Sequence, residues 1–338
     1  MIEADIDLQP HNTLAIPAQS AHFARVRTLD QLREALAFAR RRRLPILPLG
    51  GGSNIVLTGD FPGLAIQLDL RGLSLKSEDL GHTVSAAAGE NWHQLVMTTV
   101  KKGLGGLENL ALIPGKVGAA PIQNIGAYGI ELRDRFSSLQ AMEIASGEIH
   151  TFDTGDCAFA YRDSVFKGSL RDQYIITQVS LVLPGKWQPY IGYPALREYL
   201  QKRNWDRAAL TPALVARAVS DIRNSKLPLP EIIPNAGSFF KNPVVDTARY
   251  ESLRVAHPDL VAFAVGDRWK LAAAWLIDRA GWRGARRNAV GVHDSQALVL
   301  VNPGRGNGDE LTGLAKEIAA DVRAKFGVSL EPEPRYYP

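Results

Sequence analysis

Apolar and polar positions recur with a readable period over most of the chain. In 28–43, Leu32, Ala35, Leu36 and Ala39 share one face, which predicts a helix with Thr28 as N-cap and Gln31 as its capping-box partner. Short apolar runs bounded by glycine, proline and polar residues predict strands at 45–49, 55–57, 64–69 and 83–89. The run 91–102 reads as a helix closed by Gly103. Next come a hairpin over 139–152 turning at Ser146-Gly147, a short helix at 155–161, a β-branched strand at 174–183 and a helix at 194–203. Thr211 and Pro212 open a helix in which Val215, Val219 and Ile222 repeat at helical spacing. A stiff stretch with Pro228, Pro230 and Pro234 follows, and a domain boundary is expected at 210–230. Beyond it the pattern predicts helix 250–256, strand 261–265, helix 270–280 stopped by Gly281, strand 296–301, and helix 309–326 stopped by Gly327.

One stretch fits no period. The run 107–129, LENLALIPGKVGAAPIQNIGAYG, holds glycines at 115, 118, 126 and 129 and prolines at 114 and 121. In a helix each glycine would cost about 1 kcal/mol and each proline about 3. The run is also too apolar for a solvated loop, with Glu108 and Lys116 its only charges. Its backbone amides need partners. They come either from a flat ligand that glycine and alanine allow to approach closely, or from the chain itself as it crosses a core.

Composition narrows the class. A length of 338 residues suggests two or three domains, and 46% hydrophobic with 22% charged residues is ordinary for a soluble globular protein. The single cysteine, Cys157, excludes an intramolecular disulfide framework and any multi-cysteine metal site, and no metal is expected. The N-terminus lacks the apolar core of a signal peptide, and no run approaches the roughly 18 apolar residues of a membrane span. A cytoplasmic protein is expected. The net charge of +4 suits anionic small molecules and is too slight to argue for nucleic acid.

Two groups of residues could meet an anion. Gly50, Gly51, Gly52, Ser53 and Asn54 follow a predicted strand and form neither a dinucleotide fingerprint nor a P-loop. They can form a nest of N–H groups for phosphate oxygens, or a plain tight turn. The basic run 40–43 reads more simply as a solvated helix C-terminus.

Six segments together resemble the UDP-N-acetylenolpyruvoylglucosamine reductase family: PLGGGSN (48–54), GLENLALIPGKVGAAPIQNIGAYG (106–129), AYRDSVFK (160–167), IRNSKLPLP (222–230), NAGSFFKNP (235–243) and LEPEPR (330–335). They keep the family's order across nearly the whole chain, and the segments around Tyr193 and SFFKNP resemble the form with an extra tyrosine loop. The resemblance implies an α+β chain: a vanillyl-alcohol-oxidase/PCMH-type FAD-binding fold of two subdomains, 1–62 and 63–210, plus a separate α+β substrate-binding domain, 211–327. The segment 328–338 would return near the active site. It implies non-covalent FAD, NADPH as co-substrate, and reduction of an enolpyruvyl ether to UDP-N-acetylmuramate in peptidoglycan precursor synthesis. A monomer is expected.

The same resemblance implies the site. Arg162 would clamp the substrate carboxylate, Ser238 would donate the proton, and Glu333 would act beside the developing enolate. Read alone, these residues are a surface arginine, a turn serine and an exposed acid. Glu331 competes with Glu333, and Pro334 stands where the family has Val or Ile. A glutamate facing a substrate carboxylate would hold a proton. The turn Gly50 to Asn54 would take the FAD pyrophosphate. Pro114, Gly115, Gly118, Ala119, Gln123, Asn124, Gly126 and Ala127 would line the flavin. Tyr161, Tyr193, Lys226, Asn242 and Gln296 would bind substrate, with Tyr190 the alternative to Tyr193. Two rivals stay open. One is another flavin oxidoreductase on the same module, attached covalently through a histidine such as His11, His22, His82 or His93. The other is a non-catalytic nucleotide-sugar-binding protein.

Overall fold

The computed structural model describes residues 2–78 and 81–338. They divide into two compact units: 2–6, 21–51, 62–78 and 81–225 form the first, and 7–20, 52–61 and 226–338 the second.

The first unit contains two sheets. One has four strands in the order Ile2–Asp7, Gln19–Val26, Phe61–Leu68, Ile46–Leu49, the last two parallel with Ile46 opposite Leu64. Helix Leu29–Arg42 lays Leu32, Ala35, Leu36 and Ala39 into a core with Ala24, Val26, Leu64 and Ile66. Thr28 caps it by accepting from Gln31 N at 3.2 Å. The capping box is displaced by one residue: the Gln31 carboxamide oxygen accepts from Arg27 N instead.

The other sheet is antiparallel, in the order Ile149–Asp153, Phe136–Glu143, Tyr174–Pro184, Gly81–Ala87, Leu73–Glu78. Helix Trp92–Lys101, capped by Asn91, packs Trp92, Leu95, Val96 and Val100 into its core. Helix Pro212–Lys226 contributes Val215, Ala216, Val219 and Ile222 to that same core. It therefore packs with the first unit, whose last residue is Ser225. The predicted helix at 155–161 is a single turn, Thr154–Cys157. Strands Ile2–Asp7 and Leu73–Glu78 escaped the pattern because they are edge strands with mostly exposed residues.

The second unit is built on a four-stranded sheet, Asn235–Ser238, Val299–Val301, Val290–Val292, Arg286–Arg287, and a three-stranded one, Val244–Asp246, Arg268–Leu271, Ala262–Val265. The predicted helix 270–280 is two elements, because Arg268–Leu271 is a strand and the helix runs only over Ala273–Arg279. Helix Gly308–Phe326 has an Asn307–Glu310 capping box and ends at Gly327 in the left-handed region. The chain end pairs in parallel with the early segment: Arg335, Tyr336 and Tyr337 lie opposite Ile55, Val56 and Leu57. Among the described residues no helix is long and apolar enough to cross a membrane.

Candidate active site

The stretch 107–129 lies in the first unit and saturates much of its backbone internally. Val117 N donates to Glu90 O, Gly118 N to Ala88 O, Ala119 N to Lys116 O and Ile125 N to Ala120 O, all at 2.9–3.1 Å. The chain-crossing reading therefore holds for this half of the loop. Gly118 is glycine because a Cβ there would lie 2.5 Å from Ala88 Cβ, and it is buried. Asn124 is fully buried in the left-handed region, with φ of 45°. Its amide donates to Glu131 Oε2 and Ala160 O and accepts from Arg133 N, each at 3.0 Å. Both side-chain N–H donors are thus spent inside the protein. Pro114 and Ala119 are exposed, and Gly115, Gln123, Gly126 and Ala127 half-exposed, so these form the loop's outward surface.

The loop ends in a tight hairpin. Ala127 pairs with Ile130 across Tyr128 and Gly129, whose φ values of 48° and 85° are those of a type I′ turn. A tyrosine in this conformation is strained by about 1–2 kcal/mol. Its ring packs edge-on to Tyr193 at 5.2 Å between centroids. Burial pushes the Tyr128 hydroxyl up to about 12, with Arg223 opposing and Tyr193 adding to the rise. The Tyr193 hydroxyl is raised by burial as well.

Arg162 sits at the tip of a second tight turn, where Ala160 and Asp163 exchange backbone hydrogen bonds of 3.1 and 3.2 Å. Its φ of 54° is again left-handed. Lys167 Nζ donates to Arg162 O at 3.2 Å, and Ser164 Oγ donates to Ile122 O at 2.7 Å, which ties the turn to the loop. The guanidinium donates through Nη2 to Gly126 O at 2.8 Å and lies over the Tyr161 ring, 5.4 Å from its centroid. A Cβ at Gly126 would come within 3.1 Å of Arg162 Nη1, so glycine there gives the guanidinium room.

Two further residues of this unit belong to the same cluster. Burial lowers the Arg223 pKa, Tyr128 opposes the fall and the Arg162 charge adds to it. Arg223 Nε is buried without a hydrogen-bond partner. His93 lies in the field of Arg223, and its Nδ1 accepts from Leu112 N at 3.1 Å, which puts the ring proton on Nε2. Burial first and Arg223 second lower its pKa below 6.5. Protonation thus favours the unfolded chain. The contribution of His93 is full above about pH 6.5, and stability declines as pH falls from there toward the folded pKa. Urea midpoints between pH 7.5 and 5 should show this decline, and His93→Asn, whose Oδ1 can take the same bond, should lack that component.

In the second unit, Ser238 and Glu333 come together through the backbone. Strand Asn235–Ser238 carries a bulge between its pairings Asn235–Val301 and Ser238–Val299. The buried Asn235 builds it: Oδ1 accepts from Gly237 N at 2.8 Å, and Nδ2 donates to Pro228 O and Ile233 O. Gly237 has φ of 68°, and a Cβ there would meet nothing within 4 Å, so its conformation alone favours glycine. Directly after Ser238, Phe239 O accepts from Glu333 N at 2.8 Å, and Phe240 bridges Pro332. Arg335 N then donates to Asn54 O at 3.0 Å, and Asn54 Nδ2 reaches Glu333 O at 3.4 Å. These bonds use the amides of residues 333 and 335, so Pro334 between them fits without losing one. The two glutamates differ: Glu331 is exposed and paired with Lys241, while Glu333 is half-buried.

Of the residues expected to bind substrate, three lie in this unit: Lys226 ends a helix, and Asn242 and Gln296 stand in loops. Asn242 Oδ1 accepts from Ala273 N at 2.9 Å at a helix start, so a ligand would meet only its N–H₂ group. Lys226 is exposed. Gln296 is half-buried in the turn before strand Val299–Val301, where its carbonyl accepts from Val299 N. Gly52 is buried with φ of 61°, and a Cβ would collide with His11 O, so this glycine is demanded by packing. The predicted turn is divided, Gly50 and Gly51 belonging to the first unit and Gly52, Ser53 and Asn54 to the second.

Residues 228–337 match the family described as UDP-N-acetylenolpyruvoylglucosamine reductase, C-terminal domain, and residues 20–153 match an FAD binding domain. The UDP-N-acetylenolpyruvoylglucosamine reductase of Ralstonia nicotianae is 50% identical over 339 residues, covering 99% of this chain and 98% of that protein. This chain belongs to the UDP-N-acetylenolpyruvoylglucosamine reductase family. The Paraburkholderia phymatum relative is 49% identical, covering 98% of this chain and 96% of its own. In fold, the family's crystal structure from Thermus caldophilus aligns with a TM-score of 0.70 at 23% identity, covering 100% of this chain and 99% of that one. The fold class is the expected one, an FAD-binding fold with a separate C-terminal domain.

The residues of the first unit fit the cofactor this family fold implies. Gly50 and Gly51 close against the loop, where a Cβ on Gly51 would lie 3.0 Å from Gly115 Cα, leaving a backbone-lined surface. Lys116 lies beside Gly50, suited to an anion; burial first, then Arg71, lower its pKa against Asp69 and Glu90. Among the described residues no cluster of His, Cys, Asp and Glu could hold a metal ion. Arg223 and Asn109 were not picked from the sequence, and His93 entered only as one of four histidines available for covalent flavin attachment. Arg223 stands inside the IRNSKLPLP segment, which was its only signal.

Proposed function

We propose that this reductase-family chain uses FAD and NADPH to reduce UDP-N-acetyl-3-O-(1-carboxyvinyl)-glucosamine to UDP-N-acetylmuramate, a step of peptidoglycan precursor synthesis. The observation that carries this is the 50% identity to a named reductase along essentially the whole chain. Bound FAD would supply the redox chemistry, hydride transfer from NADPH to the terminal carbon of the enolpyruvyl double bond. Charge then builds on the adjacent carbon and its carboxylate.

The chain's residues manage that charge. Arg162 holds the carboxylate, since a guanidinium stays charged and can fork onto both oxygens. Arg223, its neighbour in the electrostatics, adds positive potential. The Ser238 hydroxyl gives its proton to the carbanionic carbon, completing the lactyl ether. A hydroxyl is a weak acid, but the acceptor is strongly basic, so position matters more than acidity. Glu333, fixed by its backbone next to the Ser238 strand, stabilises the developing enolate as a protonated acid. Lys226 and the Asn242 N–H₂ group hold the diphosphate, with Tyr161, Tyr193 and Gln296 on the sugar-nucleotide. Gly50 to Asn54 serve the FAD pyrophosphate, and Pro114, Gly115, Ala119, Gln123, Gly126 and Ala127 face the flavin, with Gly118 and Asn124 shaping the loop from behind. FAD is bound non-covalently, and the chain acts as a cytoplasmic monomer, where NADPH and nucleotide sugars are found.

The test is spectroscopic. NADPH bleaches the flavin of the purified protein, and the enolpyruvyl nucleotide sugar restores its absorbance without oxygen. Absence of recovery overturns the reading; binding of the nucleotide sugar without recovery indicates the non-catalytic alternative. Flavin that stays with acid-precipitated protein overturns non-covalent attachment.

A further inference from the structure

The short turn Glu108–Leu110 carries two buried polar side chains that the reaction above does not use. Glu108 and Asn109 are only 2% and 1% exposed. Burying such groups is unfavourable unless each is hydrogen-bonded. Both are, and both spend a bond on the same neighbour, the irregular segment 186–193. Glu108 Oε1 accepts from Trp187 Nε1 at 2.8 Å, while Oε2 accepts from Gly106 N at 2.5 Å. Asn109 Nδ2 donates to Tyr190 O at 2.9 Å and to Tyr128 O at 3.0 Å. One amide group thus joins the hairpin Tyr128–Gly129 to the tyrosine-bearing segment.

That segment has little else to hold it. Among the described residues, 186–192 make no backbone–backbone hydrogen bond. Ring packing supplies the rest, and glycines make the room for it. A Cβ at Gly105 would fall inside the Trp187 ring, and one at Gly129 inside the Tyr190 ring. Tyr193 closes the set against Tyr128.

We infer that Glu108 and Asn109 are positioning residues forming a latch that fixes the 186–193 segment, and with it Tyr193, for capture of the nucleotide sugar. This rests on the reductase reading for the identity of the ligand. Bonds that hold the segment in one geometry lower the cost of ordering it when the nucleotide sugar binds. Its loss should therefore appear in KM rather than in the chemical step.

Trp187→Phe keeps an aromatic ring and removes the N–H, and Lys186 provides a trypsin site within the segment. In the flavin-loaded protein, cleavage after Lys186 should be about tenfold faster in Trp187→Phe than in wild type, the effect of losing one buried hydrogen bond to a carboxylate. KM for the nucleotide sugar should rise about tenfold, with kcat within about twofold. Asn109→Ala should do both more strongly; because it also opens the core, the Trp187→Phe result decides. Unchanged cleavage in Trp187→Phe overturns the latch, and a fall in kcat at constant KM overturns its role in capture. If wild-type protein cannot pass electrons to the nucleotide sugar, the functional reading fails, and the cleavage rates alone decide whether the latch exists.

Discussion

Ser238→Ala should leave reduction of the flavin by NADPH nearly unchanged and slow reoxidation by the nucleotide sugar about a thousandfold, within the range for removal of a positioned proton donor. The two half-reactions separate because only the second needs a proton at the carbon beside the carboxylate. The substitution is mild for the fold: Ser238 is half-exposed, and the bulge that presents it is built by Asn235 and Gly237, not by its hydroxyl. Stopped-flow absorbance at the flavin band measures both steps. Equal losses in the two would remove Ser238 from proton transfer and point to a general defect in flavin binding.

Arg162→Ala should lower kcat/KM for the nucleotide sugar about a thousandfold, corresponding to about 4 kcal/mol for an unpaired carboxylate in a partly desolvated site. Arg162→Lys should recover little of this, because an ammonium cannot fork onto both carboxylate oxygens. Stability should not fall in proportion. The arginine adopts φ of 54°, a conformation that costs about 1–2 kcal/mol for a non-glycine residue, so the fold does not favour it there for its own sake. Steady-state kinetics and a thermal midpoint on each variant are the measurements. A thermal loss that tracks the activity loss would make Arg162 a structural arginine tied to Gly126 O.

Much of the fold was legible from local rules. Thr28, Asn91 and Asn307 cap helices because their side chains accept from amides within the next turn, which needs no tertiary information. The apolar faces of helices Leu29–Arg42 and Gly308–Phe326 followed from period alone. Edge strands such as Leu73–Glu78 did not, since an exposed edge imposes no apolar alternation. The helix Pro212–Lys226 shows a related limit: its apolar stripe says that a helix packs, and not against what.

The sequence by itself determined which chemistry-bearing residues the chain possesses, through segments whose order and spacing identify the reductase family. Arg162, Ser238 and Glu333 were all named from those segments. Only the tertiary structure decided what each residue has left to offer a ligand. Gly118 and Gly52 are glycines because Ala88 and His11 crowd them, Asn124 spends both its donors inside the protein, and Glu331 is held by Lys241 while Glu333 is fixed beside the Ser238 strand. Likewise, nothing in the spacing of Asn109 and Tyr190 indicates that one amide joins them. Hydrogen-bonding capacity is finite, and how it is divided among partners depends on contacts distant in sequence, which is why the roles could be listed from the chain but apportioned only in the fold.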